Sequence, residues 1–236
     1  MSMKILALDT ATEACSAALY VDGEITAQYQ LAPREHSRLI LRMLDELLSQ
    51  ANLRVAELDA IAFGRGPGSF MGLRIAAGVV QGIAFAHDLP VIPVSTLKAI
   101  AQRAYEETGI PNVLSCIDAR MDEVYWAACC HDAAGWSSIG EECVISPDKL
   151  DVQQVMSQRS GSWVAAGTGW TNYLDRLLPE AASRPEAVLD DCFPSAEVIV
   201  KLAAEEFKAG NTVPAAQAIP VYLRNDVAKK PKPVAL

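Results

Sequence analysis

The segment Phe63–Gly82, FGRGPGSFMGLRIAAGVVQG, constrains the fold more than any other part of the chain. Glycine stands at 64, 66, 68, 72, 78 and 82, proline at 67, and arginine at 65 and 74. The apolar run Asp59–Phe63 before it reads as a strand, and the stretch from Met71 to His87 reads as a helix with many small positions. Closely spaced glycines between a strand and a helix let the backbone turn sharply or come near another group. Two readings of the loop stand side by side. In one, the free N–H groups of the helix start face an anion, with Ser69 as cap and Arg65 or Arg74 adding charge, so Arg65, Gly66, Gly68 and Ser69 are anion-facing candidates. In the other, the loop is a structural turn that fits two elements closely. No lysine follows Gly68, so the Walker pattern is not met, and the loop does not follow a first strand as GxGxxG would require.

Along the following helix Gly72, Ala76, Ala77–Gly78 and Gly82 make small rows at spacings near four, which permit close helix–helix approach. The row serves packing on the chain's own sheet or a subunit interface. A candidate partner surface is the helix REHSRLILRMLDELLSQANL. There Leu39, Met43 and Leu47 repeat at i,i+4 with Ile40, Leu44 and Leu48 beside them, an apolar face wider than one layer needs.

The rest alternates strands and helices. Met3–Leu8 is a buried strand ending at Asp9, followed by Thr10, Ala11 and Thr12. Cys15–Val21 and Glu24–Gln30 form a hairpin around Asp22–Gly23. A short strand LPVIPVS leads into a helix capped by Ser95 or Thr96. Gly109, Ile110 and Pro111 break the chain, and the second half restarts with a strand Asn112–Ile117, a turn Asp118–Asp122 and a return strand Glu123–His131 that continues as a meander. SPDKLDVQQVMSQ reads as one short helix capped by Ser146, WVAAGTGW as a strand running into a Gly-Thr-Gly turn, TNYLDRLLP as a helix, and PSAEVIVKLAAEEFKAG as a helix capped by Ser195. Each half begins with a strand that ends in an Asp turn, at Asp9 and at Asp118. The expectation is therefore two α/β domains with a cleft between them: 1–108, then 109–223 with helix 195–209 packing back toward the first, and a flexible Lys/Pro-rich tail 224–236.

An acid at the end of a first strand is a common ligand-facing position, which adds Asp9 and Thr10, and by analogy Asp118 and Arg120, to the anion-facing candidates. The phosphate turn of sugar-kinase and actin-type ATPases wants glycine two residues after the acid, where Ala11 stands, and no Asp-Gly-Gly loop follows in the second half. GxSxG, HExxH and any His pair at i,i+4 are absent. The six cysteines form no CxxC and the three histidines are scattered, so neither a metal nor another cofactor is expected. A formal net charge of −9 argues against autonomous nucleic-acid binding, which runs on phosphate neutralisation. Arg38, Arg42, Arg65 and Arg74 leave room for RNA contact through a local basic patch or through a partner. The N-terminus does not read as a signal peptide and no window holds eighteen uninterrupted apolar residues, so a soluble, cytoplasmic protein without membrane contact is expected.

Five stretches, MKILALDTATEACSAAL, EHSRLILRMLDELL, AFGRGPGSFMGLRIAAGVVQGIAFAHDLPVIPVSTLKAIA, IDARMDEVYWA and IPVYLR, resemble the bacterial TsaB (YeaZ) family over nearly the whole chain. The resemblance implies an actin-like, sugar-kinase/Hsp70-type (ribonuclease H-like) α/β fold with two α/β subdomains. It implies a non-catalytic relative of the enzyme TsaD that works with TsaD and the ATPase TsaE to place threonylcarbamoyl on adenosine 37 of tRNAs reading codons that begin with adenosine. In the catalytic relative two histidines at i and i+4 bind a metal just after the strand equivalent to Val91–Val94; the matching positions here are Thr96 and Ile100. The resemblance further implies that His36, Leu39, Ile40, Met43 and Leu47, with Phe70, Gly72, Leu73, Ala76, Val79 and Val80, form the contact with TsaD and a homodimer in its absence. The competing expectation is a stand-alone glycoprotease-like peptidase or weak nucleotide hydrolase.

Overall fold

The first apolar run becomes the centre of a five-stranded sheet. The structure is a computed structural model that describes residues 3–179 and 183–224. Strand β1 (Lys4–Asp9) is buried on both faces and pairs antiparallel with β2 (Ala14–Val21), which pairs with β3 (Glu24–Leu31). Asp22 and Gly23 both have positive φ, 51° and 104°, the twist that closes two-residue hairpins. Helix α1 (His36–Gln50) leads to β4 (Ala60–Gly66), α2 (Phe70–His87), β5 (Val91–Ser95) and α3 (Thr96–Thr108). β4 and β5 run parallel to β1, giving the order β3-β2-β1-β4-β5.

The second half repeats this plan with β6 (Asn112–Asp118), β7 (Val124–Asp132), β8 (Gly135–Ile145), α4 (Val152–Ser157), β9 (Trp163–Ala166), α5 (Thr168–Leu177) and β10 (Ala187–Leu189). Its order, β8-β7-β6-β9-β10, matches the first sheet strand for strand, with the same antiparallel pair on one side and parallel pair on the other. The two Asp turns therefore lie at equivalent places, at the carboxyl ends of the two central strands.

Each sheet is covered on both faces. α1 and α2 bury Ile40, Leu47, Ala76 and Val80 against Leu6, Leu8, Ile61 and Phe63. The opposite face meets α6 (Ala196–Lys208), through Val198, Ile199 and Ala203, so this late helix completes the first unit. α3 lies between the sheets, and its Leu97, Ile100, Ala101 and Ala104 pack on Val113, Ile117 and Val164 of the second. Beyond that sheet Trp170, Leu177 and Val152 close a third layer. Among the described residues α2 is the helix with the length and hydropathy of a membrane span. Its inner face, Leu73, Ala76, Ala77, Val80 and Ala84, is buried on the sheet and its outer face carries Arg74.

Local chemistry explains where the expectations shift. β4 continues through Gly64, Arg65 and Gly66 with a bulge at Gly64/Gly66, so the first two glycines lie on the strand and only Pro67–Ser69 is loop before α2. Residues 146–157 are not one helix. Ser146 makes no side-chain cap, Pro147–Lys149 is a single 3-10 turn, and Asp151 caps α4 by accepting from the Gln154 N–H at 2.9 Å. A carboxylate at the cap position outcompetes the earlier serine for helix initiation. The Gly-Thr-Gly segment is the start of α5 and not a turn after the strand, because Gly167 and Gly169 lie so close to Cys116 that a Cβ on either would overlap it. Of the expected tail 224–236, Arg224 is bonded to Glu123 on the second half, and residues 225–236 lie outside the described residues.

Ser95 joins the two halves. It accepts from the Lys98 N–H at 3.2 Å as the cap of α3, and its hydroxyl donates to Glu142 on β8. Ser95→Ala is expected to lower stability by about 1–2 kcal/mol, since the cap and one bond to a charged acceptor are lost together. Urea unfolding at neutral pH checks this, and an unchanged midpoint would contradict it.

Candidate functional site

Most of the anion-facing candidates gather at the carboxyl end of the first sheet. There the chain's own backbone fills the space between the β1 turn and the start of α2. The Ser69 N–H donates to the Ala11 carbonyl at 2.7 Å, and the Thr10 hydroxyl donates to the Gly72 carbonyl at 2.7 Å. A Cβ at Gly68 would overlap the Ala11 carbonyl, and one at Gly72 the Thr10 carbonyl. Gly66, with φ of 107°, leaves a Cβ only 2.8 Å from the Val221 carbonyl. Ser69 caps α2 by accepting from the Gly72 N–H at 3.4 Å. The glycines thus let two backbone segments touch.

Asp9 is fully buried beneath Gly64. Its Oδ1 accepts from the Ala11 N–H at 3.1 Å, and its Oδ2 has no protein partner. Burial pushes the carboxyl up to about 7, against the smaller opposing effect of the Ala11 bond. Arg65 is half-buried with Nε unpartnered, while its carbonyl accepts from the Val221 N–H at 2.7 Å. Asp118 and Arg120 stand apart, at the end of β6. Asp118 accepts from the Arg120 N–H at 2.8 Å and from Asn172 at 2.9 Å, and the Arg120 guanidinium reaches Glu13 of the first half at 3.6 Å. Thr96 is buried with an unpartnered hydroxyl, and Ile100 is sealed between α3 and the second sheet. Among the described residues no three His, Cys, Asp or Glu side chains come together as a metal-holding group.

The two helices present a different surface from the one that the small-residue row suggested. His36, Ile40, Met43 and Leu47 of α1, and Gly72, Leu73, Ala76 and Val80 of α2, are turned into the core. Leu39 and Val79 are half-buried and Phe70 is exposed. Arg38 and Arg42 are paired on their own helix with Glu35 and Glu46, and Arg74 lies 3.9 Å from the Phe70 ring centroid. The outer face of α2 carries Met71, Gly78, Gly82 and Phe85, with Ile75 half-buried among them against the core. Their spacing is four, three, four, three, which is the seam of a helix that packs along a second helix. Met71 is 62% and Phe85 83% exposed, and around Gly78 and Gly82 a Cβ would meet nothing within 4 Å. Two large side chains therefore flank a flat, glycine-floored centre. At its far end a groove lined by Phe85, Leu89, Pro90, Val213 and Pro214 extends the apolar surface. Periodicity alone did not separate this row from the inward one. The cue was the 3.5-residue spacing of Met71, Ile75, Gly78, Gly82 and Phe85 beside the row at spacings near four.

A family model described as TsaD, tRNA N6-adenosine threonylcarbamoyltransferase, matches residues 24–230. The tRNA threonylcarbamoyladenosine biosynthesis protein TsaB of Escherichia coli is 45% identical over 235 residues, covering 98% of this chain and 99% of that protein. The chain belongs to the TsaB (YeaZ) family. The TsaB of Haemophilus influenzae is 40% identical over 98% of both chains. The solved YeaZ from Pseudomonas aeruginosa superposes with a TM-score of 0.87 at 44% identity, covering 94% of this chain and all of that one. The two-unit α/β architecture and the family membership that the sequence suggested thus both stand. Within a TsaB-type chain, Thr96 and Ile100 are a hydroxyl and a hydrocarbon where the resemblance expects metal-binding histidines in the enzyme.

Proposed function

We propose that this chain is the non-catalytic partner subunit of a TsaD-type enzyme in the formation of threonylcarbamoyladenosine at position 37 of tRNA. The observation that carries the reading is the 45% identity, over essentially full length, to a protein named for threonylcarbamoyladenosine biosynthesis. The α2 seam supplies the docking surface. Glycines at 78 and 82 let a partner helix approach to backbone distance, and Met71 and Phe85 grip its ends. TsaE joins the assembled pair, and tRNA is met only there, as the net charge of −9 favours. The work takes place in the cytoplasm.

In the absence of TsaD the same seam pairs two copies. An antiparallel match about Gly78 sets the two Gly78 residues together, Met71 opposite Phe85, and Ile75 one residue short of Gly82. That self-complementarity is what a two-fold interface requires. Among the described residues no set favours a stand-alone peptidase or nucleotide hydrolase, and the loop after β1 is filled by the chain's own backbone.

Purified TsaD, TsaE, tRNA and threonylcarbamoyl-adenylate, assayed with and without this chain, test the reading. Modified adenosine is expected only when the chain is present with both proteins. Equal product without it, or product from the chain alone, would overturn the reading.

A further inference from the structure

Residues 211–224, with one 3-10 turn at Ala215–Gln217, follow a path that touches both halves. The Val213 and Val91 backbones exchange two hydrogen bonds of 2.8 Å, Gln81 of α2 donates to the Ala218 carbonyl at 3.1 Å, and the Val221 N–H reaches Arg65. The path then runs to the N-terminal end of α2. There the Tyr222 ring lies 5.5 Å from Phe70, and Arg74 reaches the Tyr222 hydroxyl at 3.4 Å. Two residues later the chain crosses to the second half. The Arg224 guanidinium donates to Glu123 at 2.6 and 3.1 Å and to the Arg120 carbonyl at 3.1 Å.

What Arg224 holds is a strained turn. Arg120, Met121 and Asp122 all have positive φ, 60°, 56° and 64°, three consecutive side-chain-bearing residues in a region that disfavours them. The turn keeps this shape because clasps surround it. Asp118 accepts from the Arg120 N–H, Arg176 binds Asp122 and Asp148 together, and Arg224 fixes both Glu123 and the Arg120 carbonyl. The first two clasps belong to the second half. Arg224 brings the state of the first half to the turn. Met121, 67% exposed, is presented at its tip beside the Arg120–Glu13 pair.

We propose that residues 211–224 form a strap coupling occupancy of the α2 edge to the turn 118–123. It rests, for its partner arm only, on the reading that a TsaD-type protein docks along α2. Phe70 and Tyr222 flank the seam and are 51% and 42% exposed. A helix seated on the seam covers them, and the apolar burial pins Tyr222. Arg224, two residues along, already bonds Glu123 and the Arg120 carbonyl in the chain alone and is then held there more firmly, so the strained turn is tighter when α2 is covered than when it is bare.

Hydrogen exchange of the full chain, read over residues 118–124, tests the coupling in two arms. In the chain alone, Arg224→Gln and Glu123→Gln are each expected to speed exchange there at least fivefold while leaving the thermal midpoint near that of the unsubstituted chain. Unchanged exchange in both variants would overturn the strap. On adding the TsaD-type protein, exchange at 118–124 is expected to slow at least fivefold in the unsubstituted chain and to stay unslowed in Arg224→Gln, although sedimentation shows both complexes formed. Slowing that persists in Arg224→Gln, or a complex without slowing, would overturn the coupling. If no complex forms, the docking reading fails, and the first arm alone decides whether Arg224 sets the turn.

Discussion

Gly72→Ala is expected to destabilise the chain by about 3 kcal/mol or more, because the added carbon has no room to relax. It would overlap the Thr10 carbonyl, which is backbone. That segment cannot retreat, since the Thr10 hydroxyl is bonded to the Gly72 carbonyl and the Ala11 carbonyl to the Ser69 N–H. Gly78→Ala, six residues along the same helix, is expected to do the opposite and stabilise by about 1 kcal/mol, by lowering the entropy of the unfolded chain. Its new methyl would stand in open space. Urea unfolding of the two variants gives the comparison, and similar shifts would contradict the assignment of one glycine to packing and the other to an exposed face. The contrast carries functional weight. An exposed glycine in the middle of a helix sacrifices stability, and α2 holds two of them where a Cβ would meet no described atom within 4 Å. Such a surface suits the close approach of a second helix that the docking proposal requires.

Stability is also expected to depend on pH through Asp9. Its carboxyl is raised from 3.8 to about 7 by burial. Below 3.8 the group is protonated whether folded or unfolded and has no effect. Between 3.8 and 7 the unfolded chain releases the proton and the folded chain keeps it, so rising pH favours unfolding. Above 7 the loss is complete and constant. Three pH units of difference correspond to about 4 kcal/mol, of which about 3 kcal/mol falls between pH 5 and 8. Asp9→Asn removes the titration. The difference in unfolding free energy between the two proteins should therefore move by about 3 kcal/mol in favour of the variant on going from pH 5 to pH 8. A difference that is the same at both values would show that Asp9 does not hold its proton in the folded chain. Its free Oδ2, under Gly64 and beside Ile199, gives the carboxylate no second donor to lean on.

Much of the architecture was legible because single residues punctuate it. Asp22–Gly23 marks the hairpin, Ser95 and Ser195 mark helix starts, and Gly109 ends α3 in a left-handed cap. The apolar runs of β1 and β6 mark strands buried on both faces. What was not legible depends on contacts between distant parts of the chain. β10 has three residues in a polar stretch and exists because it pairs with β9. Residues 146–157 split because Asp151 offers a better cap than Ser146, which local propensity ranks almost equally. The seam proposed for docking lies on a different face of α2 from most of the residues named from the sequence. Gly72 and Ala76 belong to the same sequence row as Gly78 and Gly82, and only the docking of α2 on β4 tells which of these small residues look inward. The strap, likewise, has no regular periodicity and is defined by the partners of Tyr222 and Arg224.

The central claim is that the outer seam of α2 docks a TsaD-type protein. Gly82→Arg tests it most directly, since the substituted side chain projects into open space and leaves the fold intact. The measurement is sedimentation of the chain with TsaD over a concentration series. The unsubstituted chain is expected to co-sediment, and the variant, with thermal stability unchanged, to bind at least about a hundredfold more weakly, because a long charged side chain blocks backbone-distance contact at the centre of the interface. Equal binding by a folded Gly82→Arg protein would contradict the claim.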